Sequence, residues 1–223
     1  MPSNAVIAPL SGSRARRRKV APGGSRSEKS AAKREAILAA ALDEFSARGF
    51  AATRLDDVAR RAGVAKGTIY LYFRDKEALF QELVRAMLVP LVGALEAPVP
   101  PDLPIRKLFD AFIDLFVREV YGTKRRAVLR LVMTEGPRFP KLAEFYYRTV
   151  VERAMIAMRA LLERADKRGE LRHKALLQFP QLVVAPGMVA IIWSGLFDRF
   201  APLDVAALMR AHLDVLFGKE DVR

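Results

Sequence analysis

The chain has 223 residues, 52% of them hydrophobic, a formal net charge of +13 and no cysteine. That is enough apolar material for one large helical domain or two small ones. The missing cysteine excludes disulfides, thiolate metal sites and thiol nucleophiles, and the positive charge favours a polyanionic partner, either nucleic acid or an anionic membrane surface.

Residues 1–30 read as a disordered basic arm. They are rich in Ser, Arg, Gly, Pro and Ala and lack helical periodicity. Residues 1–34 carry nine Lys or Arg, Arg14-Ala-Arg-Arg-Arg-Lys19 among them, against the single acid Glu28. The basic character is therefore mainly a property of the arm. Such an arm suits phosphate tracking or minor-groove entry, and it suits a solvated tail equally well. It does not read as a signal peptide, because the short apolar run Ala5–Leu10 precedes the arginines.

From residue 31 the pattern is helical almost throughout, and no sheet is expected. The first helix is predicted over about Ala31 to Arg48, with Ile37, Leu38, Ala41, Leu42 and Phe45 on one stripe. Gly49 should stop it in the left-handed conformation and let Phe50 touch Phe45. The next segment, TRLDDVARRAGVAKGTIYLYF, carries the chemistry. Thr53 is expected to cap a short helix, with Asp56 as its capping-box partner. Leu55, Val58, Ala59 and Ala62 form the buried face, and Gly63 is the stop. Val64 fills the corner, and a second short helix opens near Lys66 with Ile69 and Phe73 turned inward. Two short helices joined by a three-residue glycine turn make a helix-turn-helix, here at about 54–73.

The second helix would read DNA from its N-terminal end. Lys66 suits guanine O6 or N7, and Thr68 a base or a phosphate. Gly67 lets the backbone approach, Tyr70 and Tyr72 offer hydroxyls to phosphates, and Leu71 suits a thymine methyl. Thr53, Arg54 and Lys76 complete the expected contact set as phosphate ligands at neighbouring helix starts. Short helices with a glycine corner also occur in bundles that never meet DNA. The ten basic and eight acidic residues of 31–91 leave only a weak electrostatic footprint.

A longer helix should begin at the N-cap Asp75 and be kinked or ended by Pro90. Four prolines, Pro98, Pro100, Pro101 and Pro104, then mark the connection to a larger C-terminal part. Further helices are expected at about 105–121, 124–134, 140–167, 176–199 and 203–217. The 23 residues Ala175–Phe197 carry no charge, a length able to span a bilayer. Pro180, Pro186, Gly187 and Gly195 interrupt them, and a buried or interface helix is the better reading.

The run from Arg34 to Phe80 resembles the N-terminal domain of the TetR family of transcriptional regulators. The matching features are Arg48-Gly49-Phe50, Thr53, Val58-Ala59, Ala62-Gly63-Val64, Lys66-Gly67-Thr68-Ile69-Tyr70, Tyr72-Phe73 and Lys76-Glu77-Ala78-Leu79. Ala65 stands where the family usually has a capping Ser. Asp56 lies where some members place a base contact, and its carboxylate would repel phosphate while being able to accept from cytosine N4.

The resemblance implies an all-α chain. Residues 31–91 form the DNA-binding domain, 92–218 form a helical ligand-binding and dimerisation domain, and 219–223 are a tail. It implies a cytoplasmic, ligand-responsive repressor that binds double-stranded palindromic DNA as a homodimer, through helices of about 176–199 and 203–217. It implies no cofactor, metal or enzymatic activity. Phe109, Phe112, Phe116, Met133, Phe145, Tyr146, Met188 and Trp193 are the candidate walls of a pocket for an apolar or amphipathic effector. Taken singly, each of these reads better as plain core. The helix starting at Asp75 joins both domains and would carry a population shift between them. Three rival readings remain: a small helical enzyme around Glu135 or His173, a membrane-associated helical protein, and a DNA binder without a regulatory ligand.

Overall fold

The computed structural model describes residues 26–218, and within them every regular element is helical. Residues 1–25 of the expected arm and the tail 219–223 lie outside the described residues. Residues 26–30 do not belong to an arm, because the first helix, α1, already starts at Arg26 and runs over Arg26–Ala52. Its stripe is buried, with Ile37 and Ala41 wholly covered. Gly49 sits inside this span at φ 74°, ψ 169°, a left-handed break tolerated by glycine. Phe50 then stacks on Phe45 with ring centroids 5.5 Å apart.

Two short helices follow, α2 (Leu55–Arg61) and α3 (Lys66–Tyr72), joined through Gly63 at φ 66°. Next comes α4 (Lys76–Glu96), where the Asp75 carboxylate accepts from the Ala78 amide at 2.7 Å. Pro90 does not end α4, which continues to residue 96. Pro98, Pro100, Pro101 and Pro104 fall in the irregular connection after it. By length and composition α4 is the one helix among the described residues able to cross a membrane. In the fold its apolar residues Leu79, Phe80, Leu83, Val84 and Leu88 are buried in a core with α1, α2 and α3.

Helix α5 (Ile105–Leu115) runs on into a π-helical segment, Phe116–Tyr121. Then come α6 (Arg125–Glu135) and α7 (Pro140–Tyr146). A π-helical turn at Tyr147–Val151 links α7 to α8 (Glu152–Lys167), so the expected helix over 140–167 is continuous but locally widened. The expected helix over 176–199 is two helices, α9 (Ala175–Gln178) and α10 (Gln181–Leu196), broken at Phe179-Pro180. The last helix is α11 (Val205–Phe217).

The helices bury two separate cores, and core membership does not follow chain order. The first contains α1 to α4 together with Val128, Leu131 and Val132 of α6 and Leu142 of α7. The second contains α5, α8 and α11 with Leu176, Val183 and Ala190. Helix α6 thus packs against the first core. Burial on one apolar face explains this, since a helix joins whichever core its covered side chains enter.

Candidate nucleic-acid interface and apolar cavity

The face of α3 opposite its buried residues is the candidate DNA surface. Ile69 and Phe73 are 0% and 4% exposed and fix the helix to the core, while Leu71 is 84% exposed and Tyr70 stands out beside it. Leu71, Tyr70 and Lys66 thus form the solvent-facing side of the helix. Lys66, Gly67 and Arg54 are also exposed, and Thr68 is half-buried. Ala65 is the N-cap of α3 and supplies no side-chain bond, as its methyl requires.

Four members of the expected contact set have other partners. Thr53 is 2% exposed, and its hydroxyl donates to the carbonyls of Gly49 at 2.8 Å and Glu44 at 3.2 Å. It closes the α1–α2 corner and caps nothing; Arg54 is the N-cap of α2. The Lys76 ammonium donates to the Ala51 carbonyl at 2.8 Å and lies 4.7 Å from the Phe50 ring centre. Burial pushes its pKa down, with Glu135 pulling the other way. Tyr72 is half-buried, its hydroxyl 3.0 Å from Ser30 Oγ. Lys66 is exposed but paired with Asp56 at 2.7 Å, a hydrogen bond that holds the lysine above its ordinary pKa. Asp56 is therefore the internal competitor of any phosphate for Lys66.

The corner is tied from beneath by Glu44, which is 4% exposed. Its carboxylate accepts from Arg61 Nε at 2.7 Å and lies 3.3 Å from Arg48 Nε. The same cluster sets the angle between α1 and α2. From the other side the Glu135 carboxylate presses on Gly49, so close that a β-carbon there would stand 2.8 Å from Oε1.

Between the two cores lies a cavity of about 200 Å³. Phe109, Phe112, Phe116 and Met188 line it, as the sequence analysis expected. Met133, Phe145, Tyr146 and Trp193 do not. Phe145 and Tyr146 pack on the first core, where burial raises the Tyr146 hydroxyl pKa. Trp193 donates its indole N–H to the Ala201 carbonyl at 2.7 Å and meets Phe197 edge-on. Met133 sits half-buried on α6 outside the cavity lining. Sequence reading missed Leu91 and Leu95 of α4, Val183 and Ile191 of α10, and Met209 and Leu213 of α11. Aliphatic residues at helical spacing carry no signal that separates a cavity wall from a filled core.

No charged side chain lines the cavity. Across Leu95, a neighbouring groove holds two arginines that are already engaged. Arg153 makes a two-toothed pair with Glu96, at 2.9 and 2.6 Å, and Arg164 donates to the Pro100 and Leu103 carbonyls. Glu135 and His173, the anchors of an enzymatic reading, belong to no such cavity, and no cluster of metal-ligating side chains occurs among the described residues. The outward faces of α10 and α11 remain bare, with Val189, Ile192 and Leu196 on one helix and Val215 on the other at least half exposed.

Comparison with known proteins places both halves. Residues 37–83 match the family model described as bacterial regulatory proteins, tetR family, and residues 99–214 match the tetracyclin repressor-like C-terminal domain. The chain is 46% identical over 74 residues to the HTH-type transcriptional regulator RutR of Escherichia coli strain K12, covering 33% of this chain and 35% of RutR. It therefore spans about a third of the length of the first curated relatives it matches. With SrpR of Pseudomonas putida, another HTH-type transcriptional regulator, identity is 26% over 166 residues, 74% of this chain and 76% of SrpR. Among solved structures, a SmeT–triclosan complex superposes with a TM-score of 0.71 at 22% identity, covering 86% and 93% of the two chains. The regulator FadR of Bacillus subtilis, solved with stearoyl-CoA, gives 0.68 at 19% identity, covering 83% and 99%. At these identities the two structures speak for the fold.

Proposed function

The chain belongs to the TetR family of bacterial regulatory proteins, and we propose that it is a cytoplasmic, ligand-responsive repressor that binds a palindromic operator as a homodimer. The observation that carries this reading is the outer face of α3. Leu71 at 84% exposure, Tyr70 and Lys66 project from a helix whose opposite side is wholly buried. Such a rod offers hydrogen-bond donors and one apolar contact to the major groove. Arg54 and Thr68 join the contact set. Thr53, Lys76 and Tyr72 act by holding the reading helix in place.

The dimer seam is assigned to the bare apolar faces of α10 and α11. Two such pairs packed about a two-fold axis form a four-helix bundle, which would also cover the uncharged stretch without lipid. Two reading helices would then meet successive turns of the duplex, about 34–36 Å apart.

The effector site is the cavity between the two cores. Its wall offers no partner to a charge, and an unpaired buried charge costs several kcal/mol or more. The ligand is thus an uncharged, mainly aromatic or alicyclic molecule. An apolar cavity of roughly 150 Å³ holds benzene, so the space here suits one or two rings. Relatives supply a parallel only in kind: triclosan in SmeT, stearoyl-CoA in FadR.

Selection of bound fragments from a random duplex pool tests the DNA reading. The expected product is a palindrome, and no enrichment over a scrambled pool would end the proposal. Naphthalene and its sulfonated analogue naphthalene-1-sulfonate share one skeleton and test the cavity. The uncharged probe should bind at least about tenfold tighter, and Gly187→Leu, which fills the space beside Phe116, should remove it. Equal binding of the two would overturn the assignment of an uncharged ligand while leaving the DNA reading intact.

A further inference from the structure

The cavity lies on the seam between the two cores, and one side chain is fastened to both sides of that seam. Arg125 opens α6, which packs into the first core. Its Nε donates to the Met87 carbonyl of α4 at 2.8 Å. Its Nη1 donates to the Glu119 carbonyl at 3.1 Å and to the Glu119 carboxylate at 2.8 Å. Glu119 belongs to the π-helical segment, whose Phe116 and Val120 line the cavity. Met87 lies three residues before Pro90, and Leu91 and Leu95 just beyond line the cavity from the other side.

The surroundings make this fastening specific. Within the segment, Thr123 Oγ1 also donates to the Glu119 carbonyl, at 2.6 Å, and the Arg125 amide donates to Thr123 Oγ1 at 3.2 Å. Arg126 covers the Tyr121 ring at 4.8 Å. A π-helical turn carries poorer backbone hydrogen bonding than an α-helix and recurs at sites that change shape. The far end of the Phe116 ring, at the head of the segment, meets α10 at Gly187; a β-carbon there would stand 3.2 Å from the ring. A ligand entering between Phe116 and α10 displaces that ring first. The displacement travels three residues along the chain to Glu119 and reaches α4 through a planar, three-armed guanidinium.

We propose that Arg125 is the positioning residue that passes occupancy of the cavity to α4, and through it to the reading helix α3. This rests on the ligand-responsive reading above. A guanidinium suits the task because its separate nitrogens, held in one rigid plane, span the Met87 carbonyl and Glu119 together, whereas an ammonium carries all its donors on one flexible nitrogen. Coupling is reciprocal, so it is legible from either end.

The test uses the full chain, a duplex recovered from the selection above, and naphthalene as the probe. DNA affinity is measured with and without saturating probe, and probe affinity with and without DNA, for wild type, Arg125→Gln and Arg125→Lys. The wild type is expected to lose at least about tenfold in DNA affinity when the probe is bound, within the usual range of allosteric coupling. Both variants are expected to bind probe and DNA separately within about threefold of wild type, and to change DNA affinity less than about twofold on probe binding. If Arg125→Gln does not fold, as judged by its thermal transition, Arg125→Lys keeps the charge beside Glu119 and carries the test alone. A variant that releases DNA with the wild-type fold-change overturns the role of Arg125 and leaves the ligand-responsive reading standing. A wild type that binds the probe without losing DNA affinity overturns both.

Discussion

The Nε2 atom of His212 in α11 lies 2.7 Å from the carbonyl oxygen of Leu182 in α10. That carbonyl has no partner in its own helix, because the residue four places on is Pro186, which lacks an N–H. The ring nitrogen therefore donates, and an imidazole from the neighbouring helix replaces the missing backbone donor. Pro186 lines the cavity, and this contact ties α11 to α10 beside it.

Replacing His212 by Ala is expected to cost about 1 kcal/mol, the usual net worth of one hydrogen bond. The same change on a Pro186→Ala background should cost clearly less, because residue 186 then supplies its own donor. Thermal unfolding of the four proteins at one fixed concentration checks this. Equal costs on both backgrounds would show that the two groups do not serve the same oxygen.

Thr53→Val removes a buried hydroxyl that serves two carbonyls, and a loss of about 1–2 kcal/mol is expected. Its dependence of DNA affinity on salt should match that of wild type, since a covered hydroxyl releases no counterion. A shallower salt slope with unchanged stability would return Thr53 to the phosphate contacts. Gly49→Ala should destabilise by at least about 1 kcal/mol. It combines a positive φ with a β-carbon driven into the Glu135 carboxylate.

Asp56→Asn is expected to strengthen DNA binding at low ionic strength. The substitution frees Lys66 and removes a carboxylate from the approach path. The slope of log affinity against log salt should steepen by about one, the value for one added phosphate contact. Weaker binding by Asp56→Asn, with the fold intact, would mean instead that the carboxylate itself reads a base.

Ile192→Asp sets a charge in the bare face of α10, where the side chain is half exposed. At micromolar concentration the protein should sediment as a monomer, and affinity for a palindromic duplex should fall by at least about 100-fold as bivalent binding is lost. A variant that stays dimeric would move the seam to another face.

Glu119 is held below the usual carboxylate range, first by its hydrogen bond from Arg118 and then by that from Arg125. A folded pKa below the unfolded one means stabilisation that is fully present above about pH 4.3. It fades as pH falls through the folded value. Glu119→Gln should therefore melt below wild type at neutral pH, and the two transitions should converge in acid. A gap that stays constant down to pH 3 would show that the carboxylate's charge does not matter.

Much of the fold followed from local pattern. The stripe from Ile37 to Phe45, the glycine stops at Gly49 and Gly63 and the Asp75 cap each depend on a few neighbouring residues. Their physics is that of one helix and its ends, which is why they were legible in order along the chain. The same locality made the inward turn of Ile69 and Phe73, and so the outward face of α3, readable before any tertiary contact was known.

Partnership was decided only by packing. Whether Thr53 faces DNA or the Glu44 carbonyl, and whether Tyr146 borders a cavity or a filled core, depends on how separate helices pack against one another. Such pairings leave no period in a sequence. That α6 joins the first core, and that Arg125 spans the seam it creates, follow from burial summed over both halves at once, a quantity no single segment contains.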